Sequence, residues 1–203
     1  MIICLVTDRK RLGFDLLEQL KSAVEASIDL IQLREHDLEA GDLVDLAAEI
    51  LRETQGSQTR LVINDRLDVA LASGAHGVHL RQSSFHVEVA RRMARPGFLI
   101  GCSVHNDREA AAASGADYLI AGTVFETASK PDRSQYLGLD GLKTLTDTTH
   151  APVLAIGGIT LERVAAIAST GARGIAGIGL FSQSLPLRPL VDEVRRRFVN
   201  ARD

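Results

Sequence analysis

Side chains able to grip anions or move protons recur at the ends of short apolar runs in this 203-residue chain. Gln32, Arg34 and His36 alternate, so an extended chain carries all three on one side. Arg34 can hold an anion through a forked pair of hydrogen bonds, and His36 can exchange a proton near neutral pH. The alternative for Arg34 is a brace, paired with Glu35 or Asp65. Asn64 and Asp65 offer oxygen ligands to a hard cation such as Mg²⁺, although one carboxylate is a thin site and Asp65 serves equally well to orient Arg34 or Arg66. Ser103 and His105 again sit two apart, and whether His105 faces a pocket stays open. Thr123, Thr127, Ser129 and Lys130 follow a further apolar run. His79, inside such a run, reads as a hydrogen-bonded core residue, and His76, His86 and His150 read as solvated.

Two glycine turns lie near the C-terminus, in Ala155-Ile156-Gly157-Gly158-Ile159-Thr160 and in Gly174-Ile175-Ala176-Gly177-Ile178-Gly179. Glycine lets the backbone approach a ligand closely and leaves N–H groups exposed, and a helical pattern after each turn would add the positive end of its dipole. Gly157, Gly158, Gly177, Ile178 and Gly179 are therefore expected to hold a phosphate by backbone N–H groups. Gly158 is expected to face solvent, and Arg173 is the one cation beside either turn. The alternative is that these glycines only ease tight turns.

The elements that must position these groups alternate from end to end. Short apolar runs at 2–7, 30–34, 60–64, 77–80, 99–104, 118–122, 153–156 and 174–178 read as buried parallel strands. Amphipathic stretches at 14–26, 42–52, 161–169 and 189–198 read as helices, with Asp107 and Thr160 at N-cap positions. Strict alternation implies α/β architecture, and eight units with the glycine turns in the last two imply a (β/α)₈ TIM barrel, one domain over 1–203. A doubly wound dinucleotide-binding sheet would want GxGxxG after its first strand, where this chain has Thr7-Asp8-Arg9-Lys10. In a barrel the strand C-terminal ends share one mouth, so Thr7, Asp8, Arg81 and Gln82 join the groups above. The polar segment 127–139 reads as a lid.

Composition excludes other classes. Hydrophobic residues at 45% and charged residues at 24% are ordinary for a globular chain, and a net charge of −3 argues against nucleic acid as a partner. No apolar run approaches the ~20 residues that span a membrane. The N-terminus reads as a strand, without a basic leader. Cys4 and Cys102 read as buried thiols, and a cytoplasmic location is the expectation.

Taken in order, the residues resemble the thiamin-phosphate synthase and thiazole tautomerase (TenI-type) superfamily. The matching segments include Leu5-Val6-Thr7-Asp8, Ile31-Gln32-Leu33-Arg34-Glu35, Val62-Ile63-Asn64-Asp65-Arg66, Gly77-Val78-His79-Leu80, Ser103-Val104-His105, Gly122-Thr123-Val124-Phe125-Glu126-Thr127, Ser129-Lys130 and Ala155-Ile156-Gly157-Gly158-Ile159. The resemblance implies a (β/α)₈ barrel and, for the synthase, coupling of a pyrimidine pyrophosphate to a thiazole phosphate with release of pyrophosphate and help from Mg²⁺. It implies that Gln32, Arg34, Asn64, Ser103, Thr127, Ser129 and Lys130 hold the pyrophosphate and rings. Gly157, Gly158 and the turn at 177–179 would hold the thiazole phosphate, and Asp65 one side of the metal.

Three departures separate the chain from the synthase and tautomerase patterns. His36 stands where the synthase pattern has lysine. Ser84 stands where it has a second Mg²⁺-binding aspartate. Thr123 stands where the tautomerase pattern has a histidine. The balance of the sequence leans toward a TenI-like enzyme that moves a proton on a thiazole phosphate without a cofactor, with His36, His105 or Lys130 as the reacting group. A thiamin-phosphate synthase using Mg²⁺ and a thiamin-phosphate binder without catalysis are the alternatives. A homodimer is compatible with all three.

Overall fold

The computed structural model describes residues 1–127 and 136–201. Eight strands run in chain order: β1 (Ile2–Val6), β2 (Leu30–Leu33), β3 (Arg60–Asn64), β4 (Gly77–Leu80), β5 (Leu99–Val104), β6 (Tyr118–Gly122), β7 (Val153–Ile156) and β8 (Gly174–Gly177). Each is followed by a helix: α1 (Leu16–Glu25), α2 (Ala40–Thr54), α3 (Leu67–Ser73), α4 (Val87–Met93), α5 (Asp107–Ala112), α6 (Gly138–Thr148), α7 (Val164–Ala168) and α8 (Arg188–Asn200). All neighbours pair in parallel, and β1 closes on β8 to complete a (β/α)₈ barrel. Among the described residues no helix is long and apolar enough to cross a membrane.

Closure divides the apolar residues into two cores. One lies between strands and helices, where Leu5, Ile31, Ile63 and Ile175 meet Leu20, Ile50, Val194 and Phe198. The other fills the lumen with Cys4, Val6, Leu30, Val62, Tyr118, Ile120, Leu154 and Ala176. The pairing register explains this set: Cys4 lies opposite both Leu30 and Ala176, and Ile120 opposite Leu154. Side chains alternate along a strand, so the next inward positions, Gln32, Asn64 and Ser103, fall one layer nearer the C-terminal mouth. Apolar floor and polar mouth thus follow from the same two-residue period.

Several boundaries differ from the sequence reading. Thr7, Arg34 and Ile178 lie one residue beyond their strands. Stretch 161–169 begins as a 3-10 turn, Leu161–Arg163, before α7. The cap of α5 is Asn106, not Asp107, because its side chain accepts the Glu109 N–H; Thr160 precedes the 3-10 turn without a side-chain cap bond. Residues 128–135, most of the expected lid, lie outside the described residues, and its last two residues open α6. Cys4 and Cys102 are free and buried, as read, and burial pushes their thiols up to about 12 and about 11.

Gly101 on β5 makes room for the Tyr118 ring, since a Cβ there would lie 2.1 Å from Tyr118 Cζ. The ring cannot swing away from a filled lumen without disturbing its neighbours. Gly101→Ala is expected to lower stability by about 1–3 kcal/mol. Urea denaturation checks this, and an unchanged midpoint would show that the lumen has slack.

Candidate functional site

The mouth of the barrel opens into a cavity of about 820 Å³. Gln32, Arg34, His36, Asn64, Ser103, His105, Thr123, Thr127, Gly157, Gly158, Gly177, Ile178 and Gly179 all line it. Six of the eight strand ends supply these groups, which is why residues far apart in sequence share one space. Ser129 and Lys130 fall outside the described residues. Asp65 does not line this cavity. It sits at the rim, where its carboxylate accepts a hydrogen bond from Ser84 Oγ and approaches Arg81 Nε at 3.6 Å.

Arg34 is not a brace. Glu35 instead binds the Arg9 backbone and guanidinium, and Asp65 faces Arg81. What fixes Arg34 is its backbone, whose N–H donates to buried Thr7 Oγ1 at 2.9 Å. Its guanidinium has no hydrogen-bond or ion-pair partner among the described residues, and burial lowers its pKa while Asp8 and Glu35 oppose that shift. Partial desolvation, then the charges of Arg34 and Arg81, lower the His36 pKa, so this imidazole is neutral at neutral pH.

Below these groups the polar layer is hydrogen-bonded across strands. Gln32 Nε2 donates to Asn64 Oδ1 at 2.9 Å, while Gln32 Oε1 is buried without a partner. His79 is buried between Tyr118 Oη, 3.2 Å from Nδ1, and Ser103 Oγ, 2.9 Å from Nε2. A buried hydroxyl needs an acceptor, and His79 Nδ1 is the one in reach of Tyr118 among the described residues. Tyr118 therefore donates, His79 carries its proton on Nε2, and Ser103 Oγ accepts it. The Ser103 proton is left to donate into the cavity. Burial drives the His79 pKa down to about 3, so it is a neutral relay, not an acid.

His105 faces the cavity with its Nδ1 against Glu109 Oε2 at 2.8 Å. His76, read as solvated, is half-buried and structural: its Nδ1 accepts the Leu61 N–H at 3.0 Å. His86 and His150 are exposed.

The glycine turns also differ from expectation. Gly157 and Gly158 have φ of +99° and +63°, the left-handed region that favours glycine. Gly158 is not open to solvent on its Cβ side, because a Cβ there would lie 2.4 Å from the Glu126 carbonyl oxygen. A branched residue would therefore displace the loop after β6. One-turn 3-10 helices come directly after the two turns, and the first runs on into only the five-residue α7, so little helix dipole reaches them. The N–H groups of Gly158 and Gly179 nevertheless lack an acceptor among the described residues. Sequence reasoning missed Arg11 and Arg163, which also line the cavity. Both come from 3-10 turns, and nothing in a linear pattern says where such a short turn aims its side chains.

This arrangement can bind anions at two separated places, and the comparisons with known proteins say which family builds it. A family model described as thiamine monophosphate synthase matches residues 3–181. The chain belongs to the thiamine monophosphate synthase family. It is 40% identical over 178 residues to the putative thiamine-phosphate synthase 2 of Aquifex aeolicus, covering 87% of this chain and 95% of that one. It is 41% identical over 177 residues to the thiamine-phosphate synthase of Clostridium novyi, covering 86% and 87%. The solved thiamine phosphate pyrophosphorylase from Pyrococcus furiosus superposes with a TM-score of 0.87 at 32% identity, over 98% of this chain and 96% of that one. The 3-hexulose-6-phosphate synthase structure, at 15% identity and a TM-score of 0.69, shares the fold alone. These relatives favour the synthase alternative over the tautomerase toward which the sequence leaned.

In this member of the thiamine monophosphate synthase family the buried relay has a consequence for stability. The unfolded imidazole protonates below its ordinary value of 6.5, whereas native His79 stays neutral down to about 3. Stability from this group is complete above pH 6.5 and is lost as pH falls toward 3, by about 1.4 kcal/mol per pH unit. Urea denaturation of the parent and His79→Gln between about pH 7.5 and about pH 5 is expected to give the steeper decline in the parent. Equal slopes would mean that His79 titrates normally.

Proposed function

We propose that the chain is a thiamin-phosphate synthase, joining a pyrimidine pyrophosphate to a thiazole phosphate and releasing pyrophosphate. The observation that carries this reading is a cavity with two anion-binding ends. One end has the Arg34 guanidinium, without an ion-pair partner among the described residues, with Gln32, Asn64 and the Ser103 hydroxyl. The other has the glycine turns after β7 and β8. Two phosphorylated substrates held at once need two such ends, and a tautomerase acting on one phosphate needs one. A volume of about 820 Å³ suits two small molecules.

On this reading Arg34 holds the pyrophosphate by a charge-assisted fork, and Ser103 donates to the oxygen that gains charge as the carbon–oxygen bond breaks. The thiazole nitrogen takes the place of that oxygen on the pyrimidine carbon. Buried Gln32 Oε1 accepts an N–H from the ligand, since an unmet buried acceptor costs about 1–3 kcal/mol. His36 and His105 stand at the mouth as proton-holding groups, and the resemblance assigns Ser129 and Lys130 to the pyrophosphate end.

At the rim, Asp65 and Ser84 would hold a Mg²⁺ ion. Their side chains are in direct contact, and Asp65 holds φ of +63° to face Ser84. Mg²⁺ typically takes one or two carboxylates and keeps several waters, so a carboxylate and a hydroxyl suffice as the protein's share. When bound, the ion neutralises charge on the leaving pyrophosphate.

The Mg²⁺ dependence of coupling tests this. Asp65→Asn is expected to slow coupling at least about tenfold at limiting Mg²⁺. Ser84→Asp sets two carboxylates together, so it should melt at lower temperature without metal, regain that loss with Mg²⁺, and need about tenfold less Mg²⁺ for half-maximal rate. Indifference of both variants to Mg²⁺ would remove this pair as the metal seat. Isomerisation of a thiazole phosphate without any coupling would overturn the synthase reading.

A further inference from the structure

The glycine turns have N–H groups but carry no charge of their own, whereas a phosphate monoester brings nearly two negative charges. The fold brings a cation there from the 3-10 turn after β7. Arg163 Nη1 donates to the Gly158 carbonyl at 2.6 Å, and its guanidinium carbon lies 4.5 Å from the centroid of the Phe125 ring. These two contacts hold a long side chain in one place, against the cavity wall that Gly157, Gly158 and Gly179 also line. No carboxylate lies within ion-pair distance of it among the described residues. One edge of the guanidinium fork is anchored, and the remaining N–H groups have no protein acceptor among the described residues.

Phe125 and Gly158 explain the placement. Gly158 rests against the Phe125–Glu126 backbone, and the Phe125 N–H donates to the Gly157 carbonyl at 3.1 Å. The loops after β6 and β7 therefore form one surface, and Arg163 stacks on it. Sitting over a ring while donating in its own plane is a guanidinium property that lysine lacks.

We propose that Arg163 is the charged, specificity-determining member of the thiazole-phosphate subsite, gripping phosphate oxygens with its free N–H groups beside the Gly158 and Gly179 N–H groups. The inference rests on the synthase reading of the cavity. It assigns the phosphate monoester to Arg163 and the pyrophosphate to Arg34, so the two substrates sort by end.

Calorimetry on the parent, Arg163→Gln and Arg163→Lys tests it, with three probes: the thiazole phosphate, its dephosphorylated alcohol, and inorganic pyrophosphate with Mg²⁺. Arg163→Gln is expected to weaken thiazole-phosphate binding by about 10- to 100-fold. Binding of the alcohol and of pyrophosphate should change less than about twofold, and unchanged pyrophosphate binding also certifies the fold. Arg163→Lys should fall between, keeping charge but losing the fork. In coupling assays the loss should appear in the KM for thiazole phosphate with kcat nearly kept. Unchanged thiazole-phosphate affinity in Arg163→Gln, beside a parent that couples normally, would overturn the role of Arg163 alone. Equal losses for phosphate and alcohol would make it a packing residue and overturn the proposal. A parent that binds neither thiazole phosphate nor pyrophosphate would overturn the synthase reading and this inference with it.

Discussion

A polar side chain left unsatisfied in the lumen of a closed barrel is costly, and this constraint shapes everything above it. Four inward positions, Gln32, Asn64, His79 and Ser103, are polar where the neighbouring layer is apolar. They are tolerated because they bond across strands, Gln32 to Asn64 and His79 to Ser103, with Tyr118 closing the chain from below. A buried polar pair that is satisfied rigidifies its surroundings, and one that is half satisfied costs several times what it contributes. The single exception, Gln32 Oε1, lies in the layer that meets the cavity. The lumen therefore fixes which atoms at the mouth are still free to bind a ligand. Among the described residues Arg34 and the Ser103 hydroxyl have no acceptor, and Thr7 and His79 hold what lies behind them.

Much of the fold is legible in the chain. The runs Arg60–Asn64, Gly77–Leu80, Leu99–Val104, Tyr118–Gly122 and Val153–Ile156 are strands from first residue to last. Strands buried on both faces are apolar at most positions, which sets them off from the polar stretches between them. Alternation put Gln32, Arg34 and Asn64 at one mouth for the same reason. Contacts through space were not legible. The Asp65–Ser84 contact joins two loops, Glu109 reaches His105 from one helical turn away, and Arg163 meets Phe125 from a neighbouring unit. Gly158 reads as an open phosphate turn, but its glycine is also required by the Glu126 carbonyl beside it, which only packing reveals.

The three departures gain meaning from geometry. Ser84 touches Asp65, so the position that carries a carboxylate in the synthase pattern stands at the right place with a neutral oxygen. Thr123 is buried against Gly157, and no imidazole of the described residues occupies that position, which weakens the tautomerase reading. His36, neutral beside Arg34 and Arg81, spares the mouth a further positive charge.

The central claim is that one cavity holds two phosphorylated substrates and couples them. Phosphorus NMR on the purified chain, given both substrates with Mg²⁺, tests it most directly. The account predicts that pyrophosphate and thiamin phosphate appear together in equal amounts, and only when both substrates are present. Consumption of the thiazole phosphate alone, with no pyrophosphate released, would contradict it.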